Sequence, residues 1–272
     1  MKMSNLLLRI ISGLIGVALV LSGIIYNAWS FGVIFLIILL LTSHEFYGLV
    51  KSSGNTPFRL WGTFFSLCLF IAVYLVCMGL LEIKYFWILP PLLVMCFLFA
   101  LYKHKTHNPI VSLGLTLLGV VYIAFPLSLM NVVAFKEGNY SYVLVIGILL
   151  AQWANDTGAY LVGKTMGKTK LFEAISPKKT WEGTIGGGLI SIAVLYFYSL
   201  YFSELTTLEW IGLAIIMSIF GSYGDLIESL FKRKLAIKDS GSLIPGHGGF
   251  LDRFDGLLFA LPFVTAYLMV IT

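Results

Sequence analysis

The sequence has very little charge. Of its 272 residues, 11% are charged and 59% are hydrophobic, and the mean hydropathy is +0.94. A soluble domain needs far more polar surface, so this composition excludes a soluble globular protein. Polar segments long enough to build a second, soluble core are also lacking. The few cysteines lie in apolar segments without metal-ligand spacing, which favours packing over metal binding. They are Cys68, Cys77 and Cys96.

Long apolar stretches recur along the whole chain. About 20 apolar residues can cross the hydrocarbon core as a helix, so the pattern predicts an all-α, polytopic integral membrane protein. The first apolar run, Ile10 to Tyr26, has no evident small-residue cleavage site, and we expect it to be retained as a helix. We predict nine transmembrane spans, at residues 6–26, 29–50, 61–81, 85–102, 109–134, 141–162, 183–203, 208–231 and 252–272.

The basic residues predict how these spans are oriented. With nine spans, sixteen of the eighteen Lys and Arg residues fall on one side of the membrane, and only Lys84 and Lys136 on the other. Such residues concentrate in cytoplasmic loops, so we expect a cytoplasmic N-terminus and a C-terminus outside. The two long polar connections, 163–182 and 232–251, are then cytoplasmic. The same bias explains the basic pI without any nucleic-acid partner.

The aspartates are confined to the second half of the chain. All of them lie from the sixth predicted span onward, at Asp156, Asp225, Asp239, Asp252 and Asp255. We therefore distinguish an N-terminal region of transmembrane helices, residues 1–140, from a catalytic transmembrane region, residues 141–272, which carries both polar connections.

Four aspartates are predicted to converge at the cytoplasmic face. Asp156 and Asp225 lie roughly six residues before their spans end there, about 9 Å deep at 1.5 Å per residue. Asp252 and Asp255 begin span 9, and on a helix their spacing of three residues places both on one face. Burying a lone carboxylate in a bilayer costs about 3 kcal/mol or more. Convergent carboxylates in a polar cavity therefore favour a hard divalent cation, above all Mg²⁺.

An internal ion-pair network is the alternative to a metal site. In such a network Asp225 would pair with Arg233, and Asp252 with Lys238. For the whole set of acids we favour a metal, because the neighbouring polar connections are also unusual. Asp225 and Glu228 again lie three residues apart, so one helix face carries both.

The two polar connections are rich in lysine, serine and glycine. The first contains Gly-Lys-Thr at 163–165, but it lacks the upstream glycine and the preceding strand of a P-loop, which we reject. It also contains Ser-Pro-Lys-Lys-Thr at 176–180, which we expect to form a turn. We assign Lys168, Lys170 and Lys234 to the positive-inside bias and to anionic head groups. The other basic residues lie near glycines, serines and acids, which favours polyphosphate binding and phosphoryl or nucleotidyl transfer. They are Lys178, Lys179, Lys232, Arg233 and Lys238.

The run SLFKRKLAIKDSGSLIPGHGGFLDRFD, Ser229 to Asp255, closely resembles the signature of the phosphatidate cytidylyltransferases. Its pattern is Ser-x-x-Lys-Arg, Lys-Asp, Pro-x-His-Gly-Gly and Asp-Arg-x-Asp. The upstream stretches AQWANDTGAYLVGK and ISPKKTWEG are similar to the same family. The resemblance is specific from about residue 150 to the end, whereas residues 1–140 match only as hydrophobic helices.

The resemblance implies a reaction of CTP with phosphatidic acid that gives CDP-diacylglycerol and pyrophosphate. It implies Mg²⁺ as cofactor, K⁺ beside it by the same analogy, and a homodimer. We also expect a place in the cell (inner) membrane, with the active site facing the cytoplasm, as the one-sided distribution of Lys and Arg indicates. The expected partners are CTP, phosphatidic acid and membrane lipid, without nucleic acid. The phosphate of phosphatidic acid is already an anion, so the site has mainly to bring two polyanions together.

Residue roles follow from the resemblance together with the residue chemistry. Metal binding is expected of Asp225, Asp252 and Asp156. Catalytic roles are expected of Asp225, Asp252, Asp255, Lys238 and Arg253, with Asp255 holding a second cation or orienting Arg253. Substrate contacts are expected of Lys178, Lys179, Lys232, Arg233, His247, Gly248, Gly249, Ser176 and Asn155. For His247, contact with a phosphate or base and a structural hydrogen bond both stay open. Ser229 has no assigned role, and His44 and Glu45 are candidates to line the cavity.

Two other functions stay open. A CTP-dependent polyprenol or lipid kinase, or a related lipid cytidylyltransferase, would use the same nucleotide, metal and membrane-embedded acceptor. An ion-coupled transporter is the remote alternative. Transporters bind near the bilayer midplane between related repeats, whereas here the acids cluster towards one face and the sequence has no internal repeat.

Overall fold

The computed structural model describes residues 5–52, 54–102, 108–234, 241 and 248–271. Over this part of the chain the structure is almost entirely helical, as the apolar pattern predicts. It divides into two compact units, one comprising Met1–Tyr140 with Asp239–Arg253 and the other Ser141–Lys238 with Phe254–Thr272. The segment that precedes the last helix therefore belongs to the unit of the N-terminal helices. The division of roles between residues 1–140 and 141–272 stays a prediction.

The first unit is helical, and some of its helices join into membrane-length segments. Its elements are α1 (Asn5–Tyr26), α2 (Ala28–Ser52), α3 (Arg59–Cys77), a 3₁₀ helix (Ile83–Ile88) leading into α4 (Leu89–Tyr102), α5 (Pro109–Gly119), a π-helical turn (Val120–Ala124) and α6 (Phe125–Ala134). Pro126 has no N–H to bond the carbonyl four residues before it. The turn before it is accordingly wider, with the Phe125 N–H donating to the carbonyl of Val120.

A buried tyrosine ties α2 to α5 in this unit. The Tyr47 hydroxyl donates to the carbonyl of Thr116 at 2.9 Å, and the Thr116 hydroxyl accepts from the Phe58 N–H at 2.8 Å. Gly62 and Gly119 leave the space that the Tyr47 ring occupies. These bonds satisfy polar groups that neither lipid nor an apolar core could satisfy.

The second unit contains the remaining helices and one small hairpin. Its elements are α7 (Tyr142–Met166), β1 (Lys170–Phe172), β2 (Ser176–Thr180), α8 (Trp181–Ser199), α9 (Thr207–Lys234) and α10 (Asp255–Val270). Within the unit, α7 packs on α8 and α9, and α9 packs on α8 and α10. The Ser141 and Thr180 hydroxyls cap the N-termini of α7 and α8 by accepting backbone N–H bonds.

Glycines bring α7 and α8 into backbone contact. A Cβ at Gly187 would lie 2.5 Å from the carbonyl oxygen of Asn155 and 2.9 Å from the Ala159 nitrogen. A Cβ at Gly183, one helical turn earlier, would lie 2.8 Å from the Ala159 carbonyl. Small residues spaced by four allow membrane helices to approach this closely. The glycine-rich start of α8 therefore serves packing against α7.

The first polar connection has more regular structure than expected. The Ser-Pro-Lys-Lys-Thr segment, residues 176–180, was expected to form a turn, and this expectation is wrong. It forms β2, which pairs antiparallel with β1 through Lys170 with Thr180 and Phe172 with Ser176. A pairing strand upstream cannot be inferred from local composition, because β1 has only three residues.

Among the described residues, five helical segments are long and apolar enough to cross a membrane by length and composition. They are Ala28–Ser52, Arg59–Cys77, Ile83–Tyr102, Pro109–Ala134 and Thr207–Lys234. The same part of the chain also has two shorter apolar helical segments, Gly13–Tyr26 and Asp255–Val270. Each of the nine predicted spans contains a helix among the described residues. The number that crosses the bilayer, and the side on which each terminus lies, stay predictions.

The close contact of α7 and α8 predicts a specific sensitivity at Gly187. Gly187→Ala is expected to lower the free energy of unfolding by about 1–3 kcal/mol, because its methyl group would overlap the backbone of α7. Gly114→Ala in α5 is the control, since nothing lies within 4 Å of its Cβ position. Thermal unfolding in detergent measures both variants. Equal midpoints for the two would contradict the packing described here.

Candidate metal centre

Two helices of the second unit meet backbone to backbone next to their acidic residues. A Cβ at Gly224 of α9 would lie 2.6 Å from the Asp255 carbonyl oxygen and 2.8 Å from the Gly256 Cα of α10. A Cβ at Gly256 would in turn lie 3.0 Å from the Gly221 carbonyl oxygen. Since Asp225 follows Gly224 and Asp255 precedes Gly256, this contact brings the two aspartates to one place.

Three carboxylates converge at this contact. One oxygen from each of Asp225, Glu228 and Asp255 lies within 4.8 Å of the others. Glu228 is 2% exposed and Asp255 is 8% exposed, whereas the Asp225 side chain is 43% exposed. The set is therefore buried on one side and open on the other. Hard oxygen ligands in such a group are what Mg²⁺ and other hard divalent cations prefer, so the residues fit a metal site.

Two lysines neutralise part of this acidic group. Lys179 of β2 places its Nζ 2.5 Å from Asp225 Oδ2 and also donates to the Ser222 carbonyl at 3.3 Å. Lys232, one turn after Glu228 on α9, lies 2.8 Å from Glu228 Oε2. The partner proposed for Asp225 in the ion-pair alternative was Arg233, and this pairing is wrong. The Arg233 Nε donates to the Ile175 carbonyl at 3.4 Å, because α9 continues to Lys234 and turns this side chain towards the hairpin.

Asp156 is held by a residue that the sequence reasoning did not identify. The Gln152 Nε2 donates to both carboxylate oxygens of Asp156 at 3.1 Å. The Gln152 amide fills the space left by two glycines. A Cβ at Gly221 would lie 2.6 Å from its Oε1, and a Cβ at Gly256 would lie 2.5 Å from its Nε2. The spacing of four residues between Gln152 and Asp156 was a usable signal, because such pairs face each other on a helix.

Asn155, an expected substrate contact, is buried inside the second unit. Its side chain is 1% exposed, and its Oδ1 has no hydrogen-bond partner among the described residues. The backbone carbonyl of Asn155 lies against Gly187 of α8. A substrate can therefore reach Asn155 less easily than it can reach the more exposed Asp225.

Glu182 organises the hairpin that carries the lysines. Its carboxylate accepts the backbone N–H groups of Lys168 and Thr169 at 3.1 Å. Hydrogen bonds from its own backbone N–H, from Lys168 and from Thr169 lower the pKa of Glu182 to about 2. Its place in the first turn of α8 also suits a negative charge. Glu182 was absent from the predicted site, although its position after the lysines pointed to a helix N-terminus.

Asp252 has a different local structure from the one expected. It lies in a 3₁₀ turn, Leu251–Arg253, and α10 begins only at Asp255 after Phe254. The expectation that Asp252 and Asp255 share one helix face is therefore wrong. In the first unit, Asp252 Oδ2 accepts the Gly249 N–H at 3.2 Å. Gly248 has a φ of +82°, a conformation that residues with a Cβ rarely adopt, so the glycine is required for this turn.

The other predicted site residues are distributed as follows. Ser176 is partly buried at the start of β2, and Lys178 is exposed on the same strand. Arg253 is exposed in the 3₁₀ turn, with its backbone N–H donating to the Phe250 carbonyl. Lys238 and His247 lie outside the described residues. Of the predicted set, the described residues thus bring together Asp225, Asp255, Lys179 and Lys232, to which the structure adds Glu228.

The helical fold, the membrane-length helices and the acidic group with its lysines define a helical membrane protein with a candidate metal centre. Residues 7–271 match the sequence profile of the Cytidylyltransferase family, and the chain therefore belongs to this family.

Several proteins named phosphatidate cytidylyltransferase are similar to this chain. The protein from Staphylococcus aureus strain COL is 48% identical over 136 residues, which cover 49% of this chain and 51% of the relative. The one from Staphylococcus haemolyticus is 40% identical over 185 residues, covering 66% and 69%. The one from Staphylococcus saprophyticus is 37% identical over 187 residues, covering 67% and 70%. The chain thus spans about half the length of the S. aureus relative it matches.

The acidic group predicts binding of a divalent cation by the purified protein. Asp255→Asn is expected to weaken Mn²⁺ binding, read by electron paramagnetic resonance, about tenfold or more, because one charged oxygen ligand is lost. Glu82→Gln is the control, since that carboxylate is exposed and paired with Lys84. If Asp255→Asn bound Mn²⁺ as tightly as the wild type, Asp255 would not be a metal ligand, and the carboxylates would be interpreted as members of an ion-pair network.

The contacts of Glu182 predict that it protects the hairpin. Glu182→Gln is expected to speed tryptic cleavage at the hairpin lysines about two- to tenfold, because the charge-assisted bonds to the backbone weaken.

The pKa of Glu182 in the folded protein, about 2, lies below the ordinary value of 4.5. Stability from this group is therefore complete above pH 4.5 and is lost as the pH falls towards 2. Wild-type protection should accordingly be constant between pH 8 and 6. Glu173→Gln, exposed in the same hairpin, serves as control, and an equal effect there would refute the assignment.

Proposed function

We propose that this chain transfers the cytidylyl group of CTP to phosphatidic acid, with CDP-diacylglycerol and pyrophosphate as products. One observation carries the proposal: Asp225, Glu228 and Asp255 converge, with Lys179 and Lys232 as ion-pair partners, in a member of the Cytidylyltransferase family. The names of staphylococcal relatives support the same activity.

The residues suit this chemistry. A phosphate oxygen of the lipid attacks the α-phosphorus of CTP, a new P–O bond forms, and the bond to the bridging oxygen breaks so that pyrophosphate leaves. Both reactants are anions, so the site has to align them and offset their repulsion. Lys179 and Lys232 provide positive charge beside the acidic group. Asp225, Glu228 and Asp255 would hold Mg²⁺, which supplies electrostatic stabilisation of the phosphates when bound.

The remaining assignments belong to the proposal as predictions. Asp156 and Asp252 are further proposed metal ligands. Further proposed phosphate or substrate contacts are Lys178, Arg233, Lys238, His247, Arg253, Ser176, Asn155, Gly248 and Gly249. The expectations of K⁺ and of a homodimer rest on the family resemblance alone.

We also propose a nine-span topology in the inner membrane, with the site facing the cytoplasm. The five membrane-length helical segments found in the described part of the chain and the one-sided distribution of Lys and Arg support it. A cytoplasmic site near head-group depth would receive CTP from water and the lipid phosphate from the bilayer. This arrangement suits a reaction between a soluble nucleotide and a lipid.

The decisive measurement is transfer of label from CTP to lipid by the purified protein. With phosphatidic acid and Mg²⁺ present, the lipid product should become labelled and pyrophosphate should appear in equal amount, and EDTA should abolish both. Asp255→Asn is expected to lower turnover at least about a hundredfold, because a charged group near the phosphates is lost. Lys170→Ala, on the exposed side of the same hairpin region, should retain turnover.

The product distinguishes the alternatives. A CTP-dependent lipid kinase would release CDP and leave a phosphate, without the nucleotide, on a polyprenol or other lipid alcohol. Movement of a solute across proteoliposomes without any release of pyrophosphate would indicate a transporter. Either result, or full turnover by Asp255→Asn, would overturn the proposal.

A further inference from the structure

Glu45 is a carboxylate in an unexpected place. It lies in α2, one of the membrane-length helices, and is only 5% exposed. A buried carboxylate in such a helix is costly unless polar groups compensate it. The proposed reaction gives Glu45 no direct part. We therefore infer its role from the residues that surround it.

The partner of Glu45 is the backbone next to Asp252. Glu45 Oε2 accepts the Leu251 N–H at 2.7 Å, a buried bond between residues 206 positions apart. Leu251 is itself 2% exposed and begins the 3₁₀ turn that contains Asp252. A short, charge-assisted bond to a buried N–H is among the stronger hydrogen bonds in proteins. It therefore holds the backbone one residue before a proposed metal ligand.

Gly241 packs on the same carboxylate. A Cβ at position 241 would lie 2.8 Å from Glu45 Cδ and 3.2 Å from its Cγ, and it would also overlap Oε1. A methyl group at position 241 would therefore push the Glu45 carboxylate away from its place against Leu251. The absence of a side chain at position 241 thus favours the contact. Two separate positions of the signature run, Gly241 and Leu251, meet on one side chain of α2.

The turn itself is held from a second direction. Asp252 Oδ2 accepts the Gly249 N–H at 3.2 Å, and Gly248 supplies the left-handed backbone that this turn needs. Glu45 and Asp252 therefore bind neighbouring N–H groups of one short segment. The first carboxylate fixes where the segment lies against α2, and the second fixes its internal shape.

We propose that Glu45 is a positioning residue, which holds the 248–253 segment against α2 so that the Asp252 carboxylate is presented in one orientation. The inference rests on the proposed function, because that function makes Asp252 a metal ligand. The bond between Glu45 and Leu251 does not depend on the proposed function. What Glu45 supplies is an acceptor at the correct distance, and glutamine can supply it too. Aspartate is one methylene too short to reach.

Three substitutions at position 45 test this role. Glu45→Ala is expected to speed hydrogen–deuterium exchange in peptides covering 248–253, to lower turnover about 10–100-fold and to raise the Mg²⁺ concentration needed for half-maximal rate, without changing the KM for phosphatidic acid. Glu45→Asp should behave like Glu45→Ala. Glu45→Gln should restore slow exchange and most of the turnover, because its amide oxygen still accepts the Leu251 N–H.

A double substitution gives an independent check. Gly241→Ala should by itself speed exchange in the same peptides, because its methyl group displaces Glu45. In the Glu45→Ala background this substitution should add little, since the overlap is gone, so the two effects will not be additive. Gly48→Ala on the same helix is the control, with nothing within 4 Å of its Cβ position. It should leave exchange and turnover unchanged.

The outcomes separate the two proposals. If Glu45→Ala keeps wild-type exchange and turnover, or if Glu45→Gln is as impaired as Glu45→Ala, the positioning role is wrong. If the wild type makes no CDP-diacylglycerol while the exchange pattern follows the expectations above, the contact stands and the proposed reaction fails. Thermal unfolding in detergent accompanies each variant. If Glu45→Ala lowers the unfolding midpoint and speeds exchange along the whole chain as much as in peptides covering 248–253, Glu45 is a purely structural residue and the inference is overturned.

Discussion

The contact of α9 with α10 at Gly224 and Gly256 is the constraint on which the candidate site depends. With no side chain at either position, the helix backbones touch, and the neighbouring aspartates must share one small volume. Like charges this close repel strongly in a poorly solvated region. Cations next to the carboxylates reduce this repulsion. Lys179 and Lys232 do so in part, and a divalent cation would complete the compensation in the function proposed here.

The lysines reach this place through a chain of local hydrogen bonds. Thr180 caps α8, Glu182 in the first turn accepts the N–H groups of Lys168 and Thr169, and β2 is thereby held where Lys179 meets Asp225. A flexible connection would have to lose conformational entropy each time a polyphosphate bound. A hairpin fixed in advance by its own polar contacts avoids much of that cost.

Buried charged groups in this apolar chain need polar partners, and several have one among the described residues. Glu228 is paired with Lys232, Asp156 with Gln152, and Glu45 with the Leu251 N–H. Gln152 occupies the space of Gly221 and Gly256, and Gly241 leaves room for Glu45. Polar pairing and close packing therefore depend on the same glycines in both units.

The sequence by itself determined the helical membrane class and the positions of the helices to within a few residues, and it predicted Asp225, Asp255 and the lysines of two connections as site residues. It did so because hydrophobic periodicity and charge reflect whether each residue meets lipid or water, which is a local property. Only the tertiary structure decided that Lys179 meets Asp225, that Ser-Pro-Lys-Lys-Thr is a strand, that α10 starts at Asp255, and that Glu45 meets Leu251. These depend on which backbones can approach each other, and that is settled by packing between segments far apart in the chain.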